Sequence, residues 1–197
     1  LMNPYLGPQP AIDRLFQTEM DNLETFGYGA KSFMLSMVQT ALEILPPPQA
    51  ASAVQGVLQI GKRLIRHPVE LLPGVKETLE KLAGKYHLSV VTKGDLLDQQ
   101  RKLQRSGLEP LFNHIEIVSD KTPAAYRALF VQLGAAPQEV LMVGNSLKSD
   151  IFPALETGAQ AAYLPSPFNW KHEEMEEPEN PPYLKITGLP DLLTVLL

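Results

Sequence analysis

The 197 residues contain no cysteine, one tryptophan and only four histidines. Without a thiol there is no disulfide, no thiolate metal site and no cysteine nucleophile, although this alone does not fix a compartment. The four histidines leave little from which to build a zinc site, since none has a second ligand at helical spacing. His67 before Pro68 and His172 in "NWKHEE" are the two placed to meet a substrate. Positive charge is also scarce: 17 Lys and Arg against 22 Asp and Glu leave a formal charge of -5. That balance argues against nucleic acid held by broad phosphate neutralisation, but one or two well-placed cations suffice for a small phosphorylated molecule. No apolar run approaches the roughly 20 residues that cross a bilayer. The start "LMNPYLGPQP" has neither a basic region nor a long apolar stretch, so no signal peptide is expected. A soluble, cytoplasmic protein without membrane or nucleic-acid partners is the expectation, and nothing in the composition bears on its oligomeric state.

What is present is a hydrophobic content of 44%, enough for a core plus a small accessory domain. Two textures separate near residue 67. In "AIDRLFQTEMDNLETFG" the residues Ile12, Leu15, Phe16, Leu23 and Phe26 recur near helical spacing, and Phe33, Met37, Val38, Ala41, Leu42 and Leu45 do so in "KSFMLSMVQTALEIL". Pro46, Pro47 and Pro48 end that helix, and "QAASAVQGVLQIGKRLIR" resumes the pattern. Residues 9–66 therefore read as an all-helical unit whose aromatic and methionine positions form its core. From 67 to 197 helices alternate with apolar strands: "HLSVVT", "HIEIV", "EVLMVG" and "AQAAYL", with "KSDIFPALETG" as a helix and "YLKITGLPDLL" as a short strand and final helix. Alternation of this kind predicts an α/β fold in which a parallel sheet carries helices on both faces. The acidic, proline-rich "KHEEMEEPENPP" reads as a solvated loop.

Three polar clusters close three of these strands. Thr92, Lys93, Gly94 and Asp95 follow "HLSVV"; Lys121 follows "HIEIVSD"; Gly144, Asn145, Ser146 and Asp150 follow "EVLMV". Open α/β sheets bind ligands beyond the carboxyl ends of their strands. A hydroxyl with backbone amides, an ammonium and an amide–carboxylate pair are the parts that hold a phosphoryl group, with oxygen ligands for Mg²⁺. Each cluster also has a plain reading: Asp95 as a helix cap, Lys121 as a surface lysine beside an ordinary helix start at "TPAA", and "GNSLKSD" as capping chemistry. Their order and spacing together are more specific.

In these residues the chain resembles the haloacid dehalogenase superfamily of hydrolases, most of which are Mg²⁺-dependent phosphatases. The resemblance implies a Rossmann-like core at 67–197 and an inserted helical cap at 9–66. It gives Thr92 the phosphoryl-binding hydroxyl, with Lys93 and Gly94 as further phosphate-binding positions, and Lys121 the charge-neutralising lysine. Asn145 and Asp150 become the metal-holding pair. Asparagine stands where aspartate is commoner, so the pair supplies less negative charge. Asp150 is open to three roles: metal ligand, partner of Lys121 or partner of Lys148. Tyr28 in "FGYGAKS" is the candidate cap-loop specificity residue, and Trp170 and Phe168 in "SPFNW" are candidates to border the pocket. A small phosphorylated metabolite is the implied substrate.

One motif of the family is missing. No strand in the sequence ends D-x-D; Asp13, Asp21 and Asp98 do not follow apolar strands. The resemblance places that strand, with its nucleophile, before residue 1 and at the centre of the sheet, making residues 1–8 a lead-in. Leaving its neighbours' edges unpaired would cost about 1–3 kcal/mol for each buried backbone group, against a domain stability of about 5–15 kcal/mol. A preceding strand is accordingly expected, and the leucine at position 1 agrees with that. A phosphomutase would use the same residues. A dehalogenase would not need the Asn145/Asp150 pair, and a non-catalytic phospho-ligand or partner-binding domain would not need the nucleophile.

Overall fold

The computed structural model describes residues 7–167 and 170–197, so Phe168 and the lead-in at 1–6 lie outside the described residues. The chain divides into two compact units that do not follow a single cut: one gathers the described residues up to Val69 with Lys93–Arg105, the other Glu70–Thr92 with Ser106–Leu197.

The first unit is helical. Helix α1 spans Pro8–Phe26, α2 spans Ala30–Ile44 and α3 spans Pro47–Arg66. Proline opens both α1 and α3, where its missing N–H costs nothing, so the Pro46–Pro48 run both stops α2 and starts α3. Gly27 and Gly29 bracket the α1–α2 turn with φ of 66° and 122°, backbone that a side chain would strain. The expected apolar faces hold in part: Met37, Ala41 and Leu45 are buried, but Ile12, Phe26 and Leu42 are exposed, and the small residues Ala11, Thr18, Ser32, Ser36 and Thr40 are buried as well. Small residues let backbones approach, and their hydroxyls find partners nearby. Thr18 donates to the Arg14 carbonyl at 3.0 Å, Thr40 to the Ser36 carbonyl at 2.8 Å, and Asn22 to the Ser36 hydroxyl at 3.1 Å. Between α2 and α3 the approach is close enough that a Cβ on Gly61 would collide with Met34.

In the second unit α4 (Val75–Ala83) leads to β1 (Ser89–Lys93), whose last residue falls with the first unit, as does α5 (Leu96–Ser106) up to Arg105. Strand β2 (His114–Val118), α6 (Pro123–Leu133), β3 (Leu141–Gly144), a π-helical turn (Leu147–Ile151), α7 (Phe152–Leu155), β4 (Gln160–Tyr163), β5 (Leu184–Lys185) and α8 (Asp191–Leu196) follow. The mixed α/β class is as expected from the alternation. The helix expected over 148–158 is instead the π-helical turn with the four-residue α7 behind it.

Among the described residues the strands form two sheets rather than one, in the orders β1–β2 and β3–β4–β5. Pairing is parallel from β3 to β4, with Leu141 opposite Gln160 and Gly144 opposite Tyr163, and parallel again from β4 to β5. Leu88 and Asn113 exchange hydrogen bonds where β1 and β2 begin, so these two strands start side by side and end at one edge. Among the described residues β1 has one paired neighbour and β3 has one, and both strands are only half-buried despite their apolar sequences. Central β4, covered on both sides, buries Ala161, Ala162 and Tyr163. Helix α6 supplies the core beside them through Tyr126, Leu129 and Phe130, packed with Ala154 and Ala159 and against Val91, Val140 and Met142.

Candidate active site

Two strand ends from different sheets are joined by one ion pair. Lys121, three residues beyond β2, places Nζ 2.6 Å from Oδ1 of Asp150, in the turn after β3. Asp150 is buried, and its other oxygen is equally occupied: Oδ2 accepts from the backbone amides of Asn145 at 3.1 Å and Ser146 at 3.0 Å. A carboxylate removed from water is tolerated when its lone pairs are filled in this way, by charge-assisted bonds in good geometry. Of the two lysines open to Asp150 as partners, the contacts select Lys121; Lys148 instead donates to the His172 carbonyl at 3.0 Å.

The local sequence explains why the carboxylate lands there. Gly144 ends β3 at a point where a Cβ would fall on the Asp150 side chain, so only glycine lets the turn fold back over the strand. Ser146 caps the turn by accepting from the Ser149 amide at 3.0 Å, and the Asp150 and Ile151 amides both reach the Ser146 carbonyl, the wider of these closures giving the π-helical turn. From the other side Tyr126 of α6 donates its hydroxyl to the Ser149 carbonyl at 3.1 Å. Burial and the nearby Asp150 carboxylate push the Tyr126 phenol far above its ordinary pKa, so it remains a donor. Thr122 caps α6 by accepting from Ala125, which starts that helix directly after Lys121. The ordinary helix start at "TPAA" thus coexists with a largely buried Lys121.

Thr92, the penultimate residue of β1, is half-buried in the second unit. Lys93 and Gly94 follow it in the chain but group with the helical unit. There the Lys93 ammonium lies 4.0 Å from the centre of the Tyr28 ring, a cation–π contact that brings together two residues singled out separately in the sequence. Asp95 takes its plain role. Its Oδ1 caps α5 through the Asp98 amide at 3.0 Å and meets Lys31 at 2.9 Å. His67 turns its Nδ1 to the Pro68 carbonyl at 3.0 Å, and the Trp170 and His172 rings meet at a tilt of 52° with centres 5.0 Å apart.

The donors at the β3 end are all oxygens, the set a hard cation such as Mg²⁺ takes. Asn145 and Asp150 are the side chains there that fit such an ion, and the Asp150 carboxylate, with Oδ1 accepting from Lys121 and Oδ2 from two amides, keeps acceptor capacity beyond these three bonds. Among the described residues no three His, Cys, Asp or Glu side chains gather as a metal-binding group. None of the described helices is long and apolar enough to cross a membrane. The residues that pattern reading missed are Tyr126, Ser149 and Glu173, the last of which accepts from both Ser146 and Ser149. The serine spacing in "NSLKSD" was the available signal for two-point anchoring of this turn.

A family model described as haloacid dehalogenase-like hydrolase matches residues 28–164. A glyceraldehyde 3-phosphate phosphatase of Pyrococcus furiosus is 30% identical over 131 residues, 64% of this chain and 54% of that protein, so the match spans about half the length of this curated relative. The crystal structure of a haloacid dehalogenase-like family hydrolase from Xanthomonas campestris is 33% identical, with a TM-score of 0.83 over 99% of this chain and 79% of that one. A 2-haloacid dehalogenase from Pseudomonas syringae shares the fold at 21% identity, with a TM-score of 0.65 over 98% of this chain and 83% of that one.

Proposed function

The chain belongs to the haloacid dehalogenase-like hydrolases, and from that premise we propose that it is a phosphatase that hydrolyses a small phosphorylated metabolite with Mg²⁺, through an aspartyl-phosphate intermediate. The observation that carries this reading is the Lys121–Asp150 pair: an ammonium held by a buried carboxylate that also accepts from two backbone amides, at the ends of strands from two sheets. Residues 67–197 act as the catalytic core and 9–66 as the cap, with Tyr28 contributing to substrate choice.

Thr92 donates its hydroxyl to an oxygen of the transferring phosphoryl group, and the Lys93 and Gly94 amides add donors. Lys121 offsets the charge that gathers between nucleophile and phosphate. Because Asp150 fixes Nζ at 2.6 Å, the cation needs little reorganisation as that charge develops. Mg²⁺, held at the Asn145/Asp150 pair, would supply further electrostatic stabilisation of the phosphoryl oxygens. Attack comes from an aspartate on a strand paired between β1 and β3, where each of these has only one partner among the described residues. The attacking oxygen forms a bond to phosphorus as the ester oxygen leaves with a proton from a second aspartate of that strand; this second carboxylate then takes a proton from water, whose attack on phosphorus releases phosphate and restores the nucleophile.

Phosphate release from a panel of phosphomonoesters by the full-length protein, with and without EDTA, tests the assignment. Glyceraldehyde 3-phosphate, the substrate in the Pyrococcus furiosus relative's name, is the first to assay. Expected are release abolished by EDTA and a hydroxylamine-sensitive phosphoryl label on the quenched protein. Conversion of the substrate into an isomeric phosphate would make the protein a mutase. No turnover and no label across the panel would contradict catalysis and favour a binding role.

A further inference from the structure

The segment after β4 reaches back to the turn that carries Asn145 and Asp150. Glu173 closes a short helical turn, Lys171–Glu173, and its Oε2 accepts from the hydroxyls of both Ser146 and Ser149. A serine hydroxyl has one proton. With that proton given to Glu173, the Ser146 oxygen presents lone pairs to the Ser149 amide, 3.0 Å away. A carboxylate 27 residues further along the chain thus sets the rotor that caps the π-helical turn. Beside it Lys148 donates to the His172 carbonyl at 3.0 Å and lies 3.3 Å from His172 Nε2, and the His172 ring meets the Trp170 ring at a tilt. Ser146 and Ser149 are buried, so water does not replace Glu173 as their acceptor at little cost.

We propose that Glu173 is a positioning residue: by holding both serine hydroxyls it keeps the turn in the form that brings the Asn145 and Ser146 amides to Asp150, and so places Asn145 for Mg²⁺ and Asp150 for Lys121. The inference rests on the metal-dependent phosphatase reading above and adds a residue that touches neither substrate nor metal. Residues behind a metal's direct ligands typically change affinity by about 10–100-fold when removed. Glutamine retains a carbonyl oxygen able to accept both hydroxyls; alanine does not.

The test is calorimetric titration of Mg²⁺ into the full-length protein with saturating inorganic phosphate, comparing wild type, Glu173→Ala, Glu173→Gln, Ser149→Ala and Asn145→Ala. Emission from Trp170, the one tryptophan in the sequence, is followed in parallel. Glu173→Ala is expected to weaken Mg²⁺ binding about tenfold or more, and Glu173→Gln to restore it to within about threefold of wild type. Ser149→Ala, which removes one donor and keeps the carboxylate, falls between them and carries the test if Glu173→Ala does not fold. Wild-type affinity in both Glu173→Ala and Ser149→Ala, with Asn145→Ala impaired, would overturn the positioning role and leave the phosphatase reading standing. A Glu173→Gln variant as weak as Glu173→Ala would overturn it too, since charge rather than hydroxyl placement would then be at work. No Mg²⁺ binding by wild type, or none lost in Asn145→Ala, would remove the metal reading and this inference together.

Discussion

Among the described residues each unit contains one lysine–aspartate pair at the end of a strand, and the two differ chiefly in burial. Lys121 and Asp150 meet at 2.6 Å with side chains 13% and 6% exposed; Lys31 and Asp95 meet at 2.9 Å with side chains 47% and 30% exposed. At the exposed pair water competes for both partners, and Asp95 spends its Oδ1 on capping a helix as well. At the buried pair both carboxylate oxygens are committed, one to the ammonium and one to two amides. The same two residue types therefore make an incidental surface contact in one place and a preorganised cation in the other. Distance alone does not separate them; solvent access and the filling of the remaining lone pairs do.

Breaking the buried pair should have the largest effect. Lys121→Ala leaves Asp150 with two amides but no counter-charge, and is expected to destabilise the protein by about 3–5 kcal/mol. Chemical denaturation with a circular dichroism readout checks this. Gly144→Ala comes next. Its Cβ would overlap the Asp150 side chain, so the turn must shift, at about 1–3 kcal/mol and about 2–4 °C of Tm per kcal/mol. A thermal melt at wild-type values would mean that the turn does not need glycine's close approach.

The exposed pair gives the smallest effect and one with a pH signature. Lys31, together with the Asp98 amide, holds the Asp95 carboxyl below its ordinary pKa, against the opposing effect of burial. A lowered folded-state pKa contributes stability that is present above the ordinary aspartate value and is lost as pH falls through the folded value. Lys31→Ala should thus cost about 0.5 kcal/mol near neutrality. The wild-type and mutant melting curves should converge in acid, below the ordinary aspartate pKa. A gap that widened as pH fell would contradict the sign.

The comparison also shows what the sequence could carry. Apolar runs alternating with helices located every described strand and put Thr92, Lys121, Asn145 and Asp150 at or just past strand ends, because such patterning is local. Which of its possible partners Asp150 takes is decided by residues 29 positions apart, and Glu173 enters from 24 and 27 positions away. No local pattern encodes such distances. The core faces of the helices were legible only in part for a related reason: Met37, Ala41 and Leu45 carry an apolar signal and are buried, whereas Thr18, Ser36 and Thr40 are buried too and, being small and polar, carry none. The division of the strands into two sheets was equally hidden, since an apolar run announces a strand but not its neighbours.

The most direct measurement compares phosphomonoester turnover in Lys121→Ala and Lys31→Ala, each in the full-length protein under conditions where circular dichroism shows it folded. Loss of about a hundredfold or more in kcat for Lys121→Ala, with Lys31→Ala within about twofold of wild type, is the predicted result. Equal turnover in the two variants would contradict the claim that the buried pair is the one built for catalysis.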